Sequence, residues 1–379
     1  MAISKIFERI RHNKLSHFLD KHKLLSDSQF GFRKNYSTYM ATLDLLNYVT
    51  TGLDNNESTM GVFVDLSKAF DTVDHSILSR KLTHYGIRGI AHDWFVSYLS
   101  NRKQLVCINN CSSTFKDISC GVPQGSILGP LLFLIYINDL PLFFNKLKFV
   151  LFADDTSILF RTTDPTFHVS IVNAELSRVC HWFKANKLSL NVKKTHFMLF
   201  QSCRKKAPDL SICIDGSIIN QSDSVKFLGL LIDPQLTWKH HIDLLCNKIS
   251  KTIGVLYKIK HLVPRRVLIS LYNTLILPNL SYCNVAWGNT FQSYLNRLYI
   301  LQKRVVRLIT SSHYRASTAV LFKELNILIV FDIYEHQMGI FMFKISRQLL
   351  PTFFQEHFQT NQKAQRLSDS LPILGIFAF

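Results

Sequence analysis

The chain has no cysteine framework, no long apolar run and a deficit of acid. Its eight cysteines, Cys107, Cys111, Cys120, Cys180, Cys203, Cys213, Cys246 and Cys283, are scattered. No C-x-x-C pair occurs and no Cys/His cluster has zinc-ligand spacing, which excludes a disulfide scaffold and a zinc module. Thiols spread in this way read as buried groups in a reducing compartment. The start, Met1-Ala2-Ile3-Ser4-Lys5-Ile6, holds no apolar stretch long enough for a signal peptide. The longest apolar run, Leu128 to Ile137, falls far short of the ~20 residues that span a bilayer. There are no internal repeats and no low-complexity segments. These absences predict an intracellular protein of nucleus or cytoplasm, not secreted and not inserted in a membrane.

What the chain does have is size, apolar content and positive charge. With 379 residues it is long enough for two or three packed lobes, and 47% hydrophobic residues exclude a disordered chain. Lys and Arg number 44 against 26 Asp and Glu, a net charge of +18. That balance favours a polyanionic partner, nucleic acid or an anionic membrane face, and says nothing about fold. The 29 Phe and 13 Tyr supply flat surfaces for base stacking, although most large aromatics are core. No helix pattern is both basic and amphipathic enough for a membrane surface.

Along the chain, residues 1–50 read as helical, with Ile6, Ile10, Leu15, Phe18 and Leu19 at helical spacing. Gly61-Val62-Phe63-Val64-Asp65 has the look of a buried strand ending in a carboxylate. Asp74 is placed to cap a helix that runs to about Tyr85 and stops at Gly86. A helix from Ile90 to Leu99 precedes a strand-like run, Gln104 to Ile108. Gly121-Val-Pro-Gln-Gly125 is a loop by composition, and Ser126 opens an apolar helix closed by Pro141. Lys148 to Phe160 reads as a hairpin with Asp154-Asp155 between two apolar runs. An amphipathic helix, Ile171 to Lys187, and a strand around His196 to Phe200 follow. After Arg204-Lys205-Lys206-Ala207-Pro208 comes a further hairpin, and the chain is mostly helical from Thr237. This order predicts an α+β domain with helices on one face of an antiparallel sheet, and a boundary near 235.

Asp65 and Asp154-Asp155 are distant in sequence, but neighbouring strands of one sheet would bring them together. Phosphoryl transfer needs such a cluster, because two Mg²⁺ ions ~3.5–4 Å apart activate a 3′-hydroxyl and hold the leaving pyrophosphate. Mg²⁺ takes one or two carboxylates plus substrate phosphate oxygens. Taken alone, Asp-Asp in a turn is more often a solvated turn, and Asp65 a strand-end cap. The setting Leu-Phe-Ala-Asp-Asp-Thr-Ser-Ile-Leu-Phe, apolar on both sides, favours a site.

Several runs together resemble the reverse transcriptases. Gly61-Val-Phe-Val-Asp-Leu-Ser-Lys-Ala-Phe-Asp71 is similar to their motif A, Gly121-Val-Pro-Gln-Gly-Ser-Ile-Leu-Gly-Pro130 to motif B, and Phe152-Ala-Asp-Asp155 to motif C. Leu188-Ser-Leu-Asn-Val-Lys-Lys-Thr195 resembles motif D, and Phe227-Leu-Gly-Leu-Leu-Ile-Asp233 the primer-grip hairpin. Gln29-Phe-Gly-Phe-Arg-Lys-Asn-Tyr-Ser37 resembles a fingers motif shared by non-LTR elements and group II introns. The wording is similar to that of jockey-like, LINE-type non-LTR retrotransposons, over residues 29 to about 233.

The resemblance implies a right-hand polymerase: partial fingers at 1–60, a ferredoxin-like palm sheet at 61–235, and a helical thumb with a C-terminal extension at 236–379. It implies an RNA-directed DNA polymerase that takes an RNA template, a DNA primer and deoxynucleoside triphosphates. Two Mg²⁺ ions, with Mn²⁺ as a substitute, would be held by Asp65, Asp154 and Asp155. Lys194 would serve the leaving pyrophosphate, with Lys193 as its competitor and a solvated lysine as the plain alternative. Phe70 would be a steric gate against a ribose 2′-hydroxyl; without the family it reads as a core aromatic. Gln124, in the loop with Gly125, would contact the incoming nucleotide or the template base paired with it, and Arg33 would meet a template or primer phosphate. Gly229 would allow the primer-grip turn, though a strand glycine is often only a bulge.

In the thumb, Lys239, Lys248, Lys251, Lys258, Lys260, Arg265, Arg266, Lys303, Arg304 and Arg307 would make sequence-independent phosphate contacts. Ala2 to Glu8 resembles the tail of the family's second fingers motif, which implies a chain truncated at its N-terminal end. No endonuclease precedes the polymerase, the tail after about 360 shows no nucleic-acid-binding knuckle, and Ser368 to Phe379 reads as an arbitrary ending. The readings that stay open are an active polymerase, a non-catalytic nucleic-acid-binding relic, and an RNA-copying RNA polymerase, the last disfavoured by the aromatic at position 70.

Overall fold

The computed structural model describes residues 2–205, 208–351 and 354. Lys206-Ala207 and the tail with its ending at 368–379 lie outside the described residues. Among the described residues no helix is long and apolar enough to cross a membrane. The chain divides into two compact units, one of residues 1–37 and 51–222, the other of 38–50 and those from 223 onward.

The first unit is built on a four-stranded sheet in the order His196–Phe200, Ser58–Val64, Asp155–Thr162, Lys148–Phe152, every neighbouring pair antiparallel. Ser58–Val64 is central, and six of its seven residues are buried. A strand buried on both faces reads as a continuous apolar run, not as an alternating one. The sheet's core continues into the helix Gly129–Ile137, in which Leu132, Phe133, Leu134 and Ile135 are wholly buried.

Some sequence readings hold and others need correction. Asp74 caps the helix His75–His84 by accepting from Ile77 N, and Ile90–Leu99 is helical as read. The apolar helix is shorter than expected at both ends. Pro130 has no N–H and fits only the first turn, so the helix begins at Gly129; Ser126 Oγ instead accepts from Gly129 N at 2.8 Å. Pro141 lies in a separate 3-10 turn, Leu140–Phe143. The amphipathic helix starts earlier, at Pro165, where Asp164 accepts from Thr166 N and Phe167 N. The strand-like run Gln104 to Ile108 is split between two exposed ribbons, Arg102–Gln104 with Lys116–Ile118 and Cys107–Ile108 with Cys111–Ser112. Asn109 and Asn110, both at positive φ, turn the chain back before a longer strand can form.

Residues 1–50 form two helices, Ala2–Lys21 and Thr38–Asp54, with a non-helical segment between them. In the first, Leu15 and Leu19 are buried as the spacing predicts, but Ile6 and Ile10 are 59% and 47% exposed. Periodicity identified the helix and only half of its buried face.

Among its described residues the second unit has helices and one hairpin, Val225–Phe227 with Leu230–Ile232. Its longest helix, Lys239–Ile259, is preceded by Asp233, whose carboxylate accepts from Thr237 N at 2.9 Å and Trp238 N at 2.8 Å. The core of this unit contains the wholly buried Trp287 and a buried amide, Gln302. Gln302 donates to Tyr272 Oη at 2.9 Å and accepts from Val330 N at 2.8 Å, so its polar atoms are satisfied inside the packing.

Candidate active site

The three aspartates converge because of strand register. The central strand and Asp155–Thr162 pair antiparallel up to Val64 opposite Thr156. One step further along the same register come Asp65 and Asp155, at the ends of adjacent strands. Asp154 occupies the two-residue turn that joins Phe152 to Asp155. Loss of solvent, and then the negative charges of Asp154 and Asp65, push the Asp155 carboxyl above its ordinary value. Like charges are therefore gathered at this point. Among the described residues no group of three or more His, Cys, Asp or Glu is placed to hold a metal ion by itself.

The backbone around Asp65 is fixed from the motif D segment. Asp65 O accepts from Asn191 N at 2.8 Å, Asp65 N reaches Thr195 Oγ1 at 3.4 Å, and Leu66 pairs with Leu190. The 3-10 turn Val192–Lys194 brings Lys194 Nζ to 4.0 Å from Asp65 Oδ2. The lysine side chain is 71% exposed, so this pair is a loose one that contributes little to stability. Between Lys193 and Lys194, the contact with the carboxylate falls to Lys194.

Phe70 lies five residues past Asp65, half-buried, with its ring stacked on Phe133 at 4.5 Å and edge-on to Phe32 at 6.3 Å. The core reading and the gate reading of Phe70 are thus compatible: one face packs and the residue keeps some exposure. Its carbonyl accepts from Val122 N at 2.8 Å, which ties motif A to motif B. Gln124 is exposed, and its Nε2 donates to Asp71 Oδ1 at 2.8 Å. Gly125, at φ 72°, is exposed beside it, and its carbonyl accepts from Lys5 Nζ at 2.8 Å. Arg33 is turned inward on its own loop: Nη1 donates to Ser26 O at 2.7 Å and Gln29 O at 3.2 Å, and the guanidinium lies over the Tyr36 ring.

Two residues that shape the site carried no role in the sequence. Glu8, 8% exposed, accepts from Ile127 N at 2.8 Å and so braces the loop of Gln124 and Gly125 from the first helix. Gln29 is wholly buried, and its Oε1 accepts from Gly31 N at 2.8 Å and Ala153 N at 3.0 Å, directly beneath the Asp154 turn. No sequence signal marks a side chain as the acceptor for a backbone group 124 residues away; Gln29 was only the first residue of the fingers-like run.

The primer-grip candidate lies in the second unit. Gly229, at φ 88°, and Leu228, at φ 44°, form its two-residue turn, and Tyr282 Oη donates to Leu228 O at 2.6 Å. A Cβ at Gly229 would stand 3.3 Å from the Tyr282 ring. Of the basic residues beyond it, Arg265 pairs with Glu324 at 2.7 Å, Lys303 lies over Tyr299, and Arg307 donates to Ala316 O. Lys239, Lys248, Lys251, Lys258, Arg266 and Arg304 are exposed.

Comparison with known proteins gives the family of the chain. A protein family described as "Reverse transcriptase (RNA-dependent DNA polymerase)" matches residues 1–232. The "Probable RNA-directed DNA polymerase from transposon X-element" of Drosophila melanogaster is 26% identical over 344 residues, covering 87% of this chain and 37% of that protein. The corresponding protein from transposon BS of the same species is 28% identical over 342 residues, covering 86% and 37%. The "RNA-directed DNA polymerase from mobile element jockey" is 26% identical over 341 residues, covering 86% and 36%. The chain spans a little over a third of the length of these curated relatives. Among solved structures, apo telomerase from Candida tropicalis aligns over 85% of this chain and 51% of that one, with a TM-score of 0.45 and 12% identity. The chain belongs to the reverse transcriptase family, of the kind found in non-LTR retrotransposons.

Proposed function

We propose that this chain carries out RNA-templated DNA synthesis, extending a DNA primer 3′-hydroxyl with deoxynucleoside triphosphates. The observation that carries the reading is the register that ends two adjacent strands in Asp65 and Asp155, with Asp154 in the turn, and leaves Asp155 under the repulsion of the other two. In this reading residues 1–60 serve as partial fingers, 61–235 as a ferredoxin-like palm, and the helices from 236 as a thumb. The relatives' names support the reaction class.

The donor set fits Mg²⁺. It offers carboxylate oxygens, the ligands of a hard cation that fills the rest of its shell with phosphate oxygens and water. Asp65, Asp154 and Asp155 would hold the ions. Bound there, they would lower the pKa of the 3′-hydroxyl and offset charge on the triphosphate.

The protein's own groups do the rest. Lys194, beside Asp65 and largely in solvent, holds a proton where the pyrophosphate leaves. Phe70, backed by Phe133, presents a rigid ring against a 2′-hydroxyl. Gln124 and Gly125 line the nucleotide from a loop anchored by Asp71, Lys5 and Glu8. Arg33 meets a template or primer phosphate with the part of its guanidinium not turned to its own loop. The exposed lysines and arginines of the second unit hold the duplex backbone in a salt-dependent way.

Primer extension on an RNA template tests this. Extension by the chain with Mg²⁺ and deoxynucleotides, absent in Asp154→Ala, is the expected result. Template–primer binding without extension under any divalent ion would overturn the polymerase reading and leave a binding relic.

A further inference from the structure

The segment Ser28–Gly31 is fastened to the carboxylate turn by more than a chance contact. Phe30 N donates to Leu151 O and Leu151 N to Ser28 O, both at 2.8 Å, so a short parallel bridge runs beside the strand that leads to Asp154. Gly31 lies against the turn itself: a Cβ there would come within 2.4 Å of Ala153 N, closer than any side chain tolerates. Ala153 has φ 58°, a left-handed conformation that is costly for an alanine unless its surroundings hold it. The group that holds it is the Gln29 amide, whose Oε1 takes the N–H of Ala153 and of Gly31 together.

Gln29 is 0% exposed, and its Nε2 is buried with no hydrogen-bond partner. A buried donor left unsatisfied destabilises the fold. An apolar side chain of similar volume would avoid that cost but would leave the Ala153 N–H without its acceptor. The amide is thus a worse core residue and a better clamp.

We propose that Gln29 is a positioning residue that sets the height and direction of Asp154 by fixing the Ala153 peptide. It touches no substrate; it acts through the backbone of the turn. A role in metal affinity follows if the polymerase reading is correct, because outer partners that orient a ligand typically contribute ~10–100-fold to metal affinity.

The test is hydrogen exchange of the full chain, comparing Gln29→Met and Gln29→Glu with wild type. Met has similar volume and no oxygen acceptor; Glu keeps one. Exchange at Ala153 should be slow in wild type and faster on the order of tenfold in Gln29→Met, with Phe197 to Phe200 unchanged and protection restored in Gln29→Glu. Fast exchange at Ala153 in wild type, or equal protection in wild type and Gln29→Met, would overturn the proposal. If Gln29→Met loosens everywhere, the wild-type rate at Ala153 still decides. In primer extension, Gln29→Met should raise the half-maximal Mg²⁺ concentration about tenfold with template–primer Kd within about twofold of wild type. An unchanged Mg²⁺ requirement overturns it. A wild-type chain that extends no primer sinks the polymerase reading alone, since the exchange measurement needs no activity.

Discussion

The turn between Phe152 and Asp155 in the first unit and the turn between Phe227 and Leu230 in the second both join antiparallel strands through two residues. Both place a non-glycine residue at positive φ, Ala153 at 58° and Leu228 at 44°. Each is held by a side chain from elsewhere in its own unit: Gln29 takes the N–H of Ala153, and the Tyr282 hydroxyl gives its proton to Leu228 O. The second turn has a further support, His241, whose Nδ1 accepts from Leu231 N at 3.4 Å. The difference is charge. One turn presents carboxylates that repel each other, whereas the other is backed by aromatic rings and a neutral imidazole. Similar backbone geometry therefore presents carboxylates in one place and an uncharged surface in the other, and the two should respond to different perturbations.

The largest effect expected from this contrast is on chemistry. Asp154→Ala should reduce primer extension by on the order of 10³-fold or more while the unfolding midpoint holds or rises, since it relieves the repulsion felt by Asp155. A variant that loses stability and activity together would make the acid turn structural and erase the contrast.

The second unit should instead be sensitive to acid. Burial, with a smaller contribution from Lys248, pushes the His241 imidazole down to about 4. Because the unfolded imidazole binds its proton first, near 6.5, the stabilisation is fully present above that pH and is lost as pH falls towards 4. The span allows a loss of up to roughly 3 kcal/mol, readable as denaturation midpoints between pH 7 and 4. His241→Phe should flatten that dependence; an unchanged slope would place the acid sensitivity elsewhere.

Phe70→Ala sharpens the comparison from the substrate side. Removing the ring stacked on Phe133 should relax deoxy- over ribonucleotide selectivity by about 10–100-fold in kcat/KM. Selectivity unchanged would return Phe70 to the core. The smallest effect is expected at the second turn: Tyr282→Phe removes one hydrogen bond to Leu228 O and should cost about 1 kcal/mol, seen as a lowered midpoint with the Mg²⁺ requirement unaltered.

How much of this was legible depended on the range of the interaction. Asp65, Asp154 and Asp155 were found because each stands at the end of an apolar run, and antiparallel pairing then leaves few ways to arrange them. The caps at Asp74 and Asp164 are local, and Asp74 was read from its neighbours. The exposed ribbons from 102 to 118 were misread because an apolar run such as Leu105-Val106-Cys107-Ile108 carries no mark of whether a partner will cover it. Gln29 and Glu8 escaped because their partners, Ala153 N and Ile127 N, are backbone groups more than a hundred residues away. The local role of Arg33 was not legible either: it holds its own loop through Ser26 O, Gln29 O and the Tyr36 ring. In the second unit, charge gave the lysines and arginines but not their partners, so Arg265 with Glu324 could not be told from a free phosphate contact.

The central claim is that three carboxylates from two strand ends form one divalent-cation site. Titration of Mn²⁺ into the chain with template–primer and nucleotide bound, followed by the electron paramagnetic resonance signal of free Mn²⁺, tests it most directly. The account predicts saturable binding that is lost in Asp65→Asn, Asp154→Asn and Asp155→Asn alike, and retained in Tyr282→Phe. Binding that survives any one of the three aspartate substitutions unchanged would contradict it.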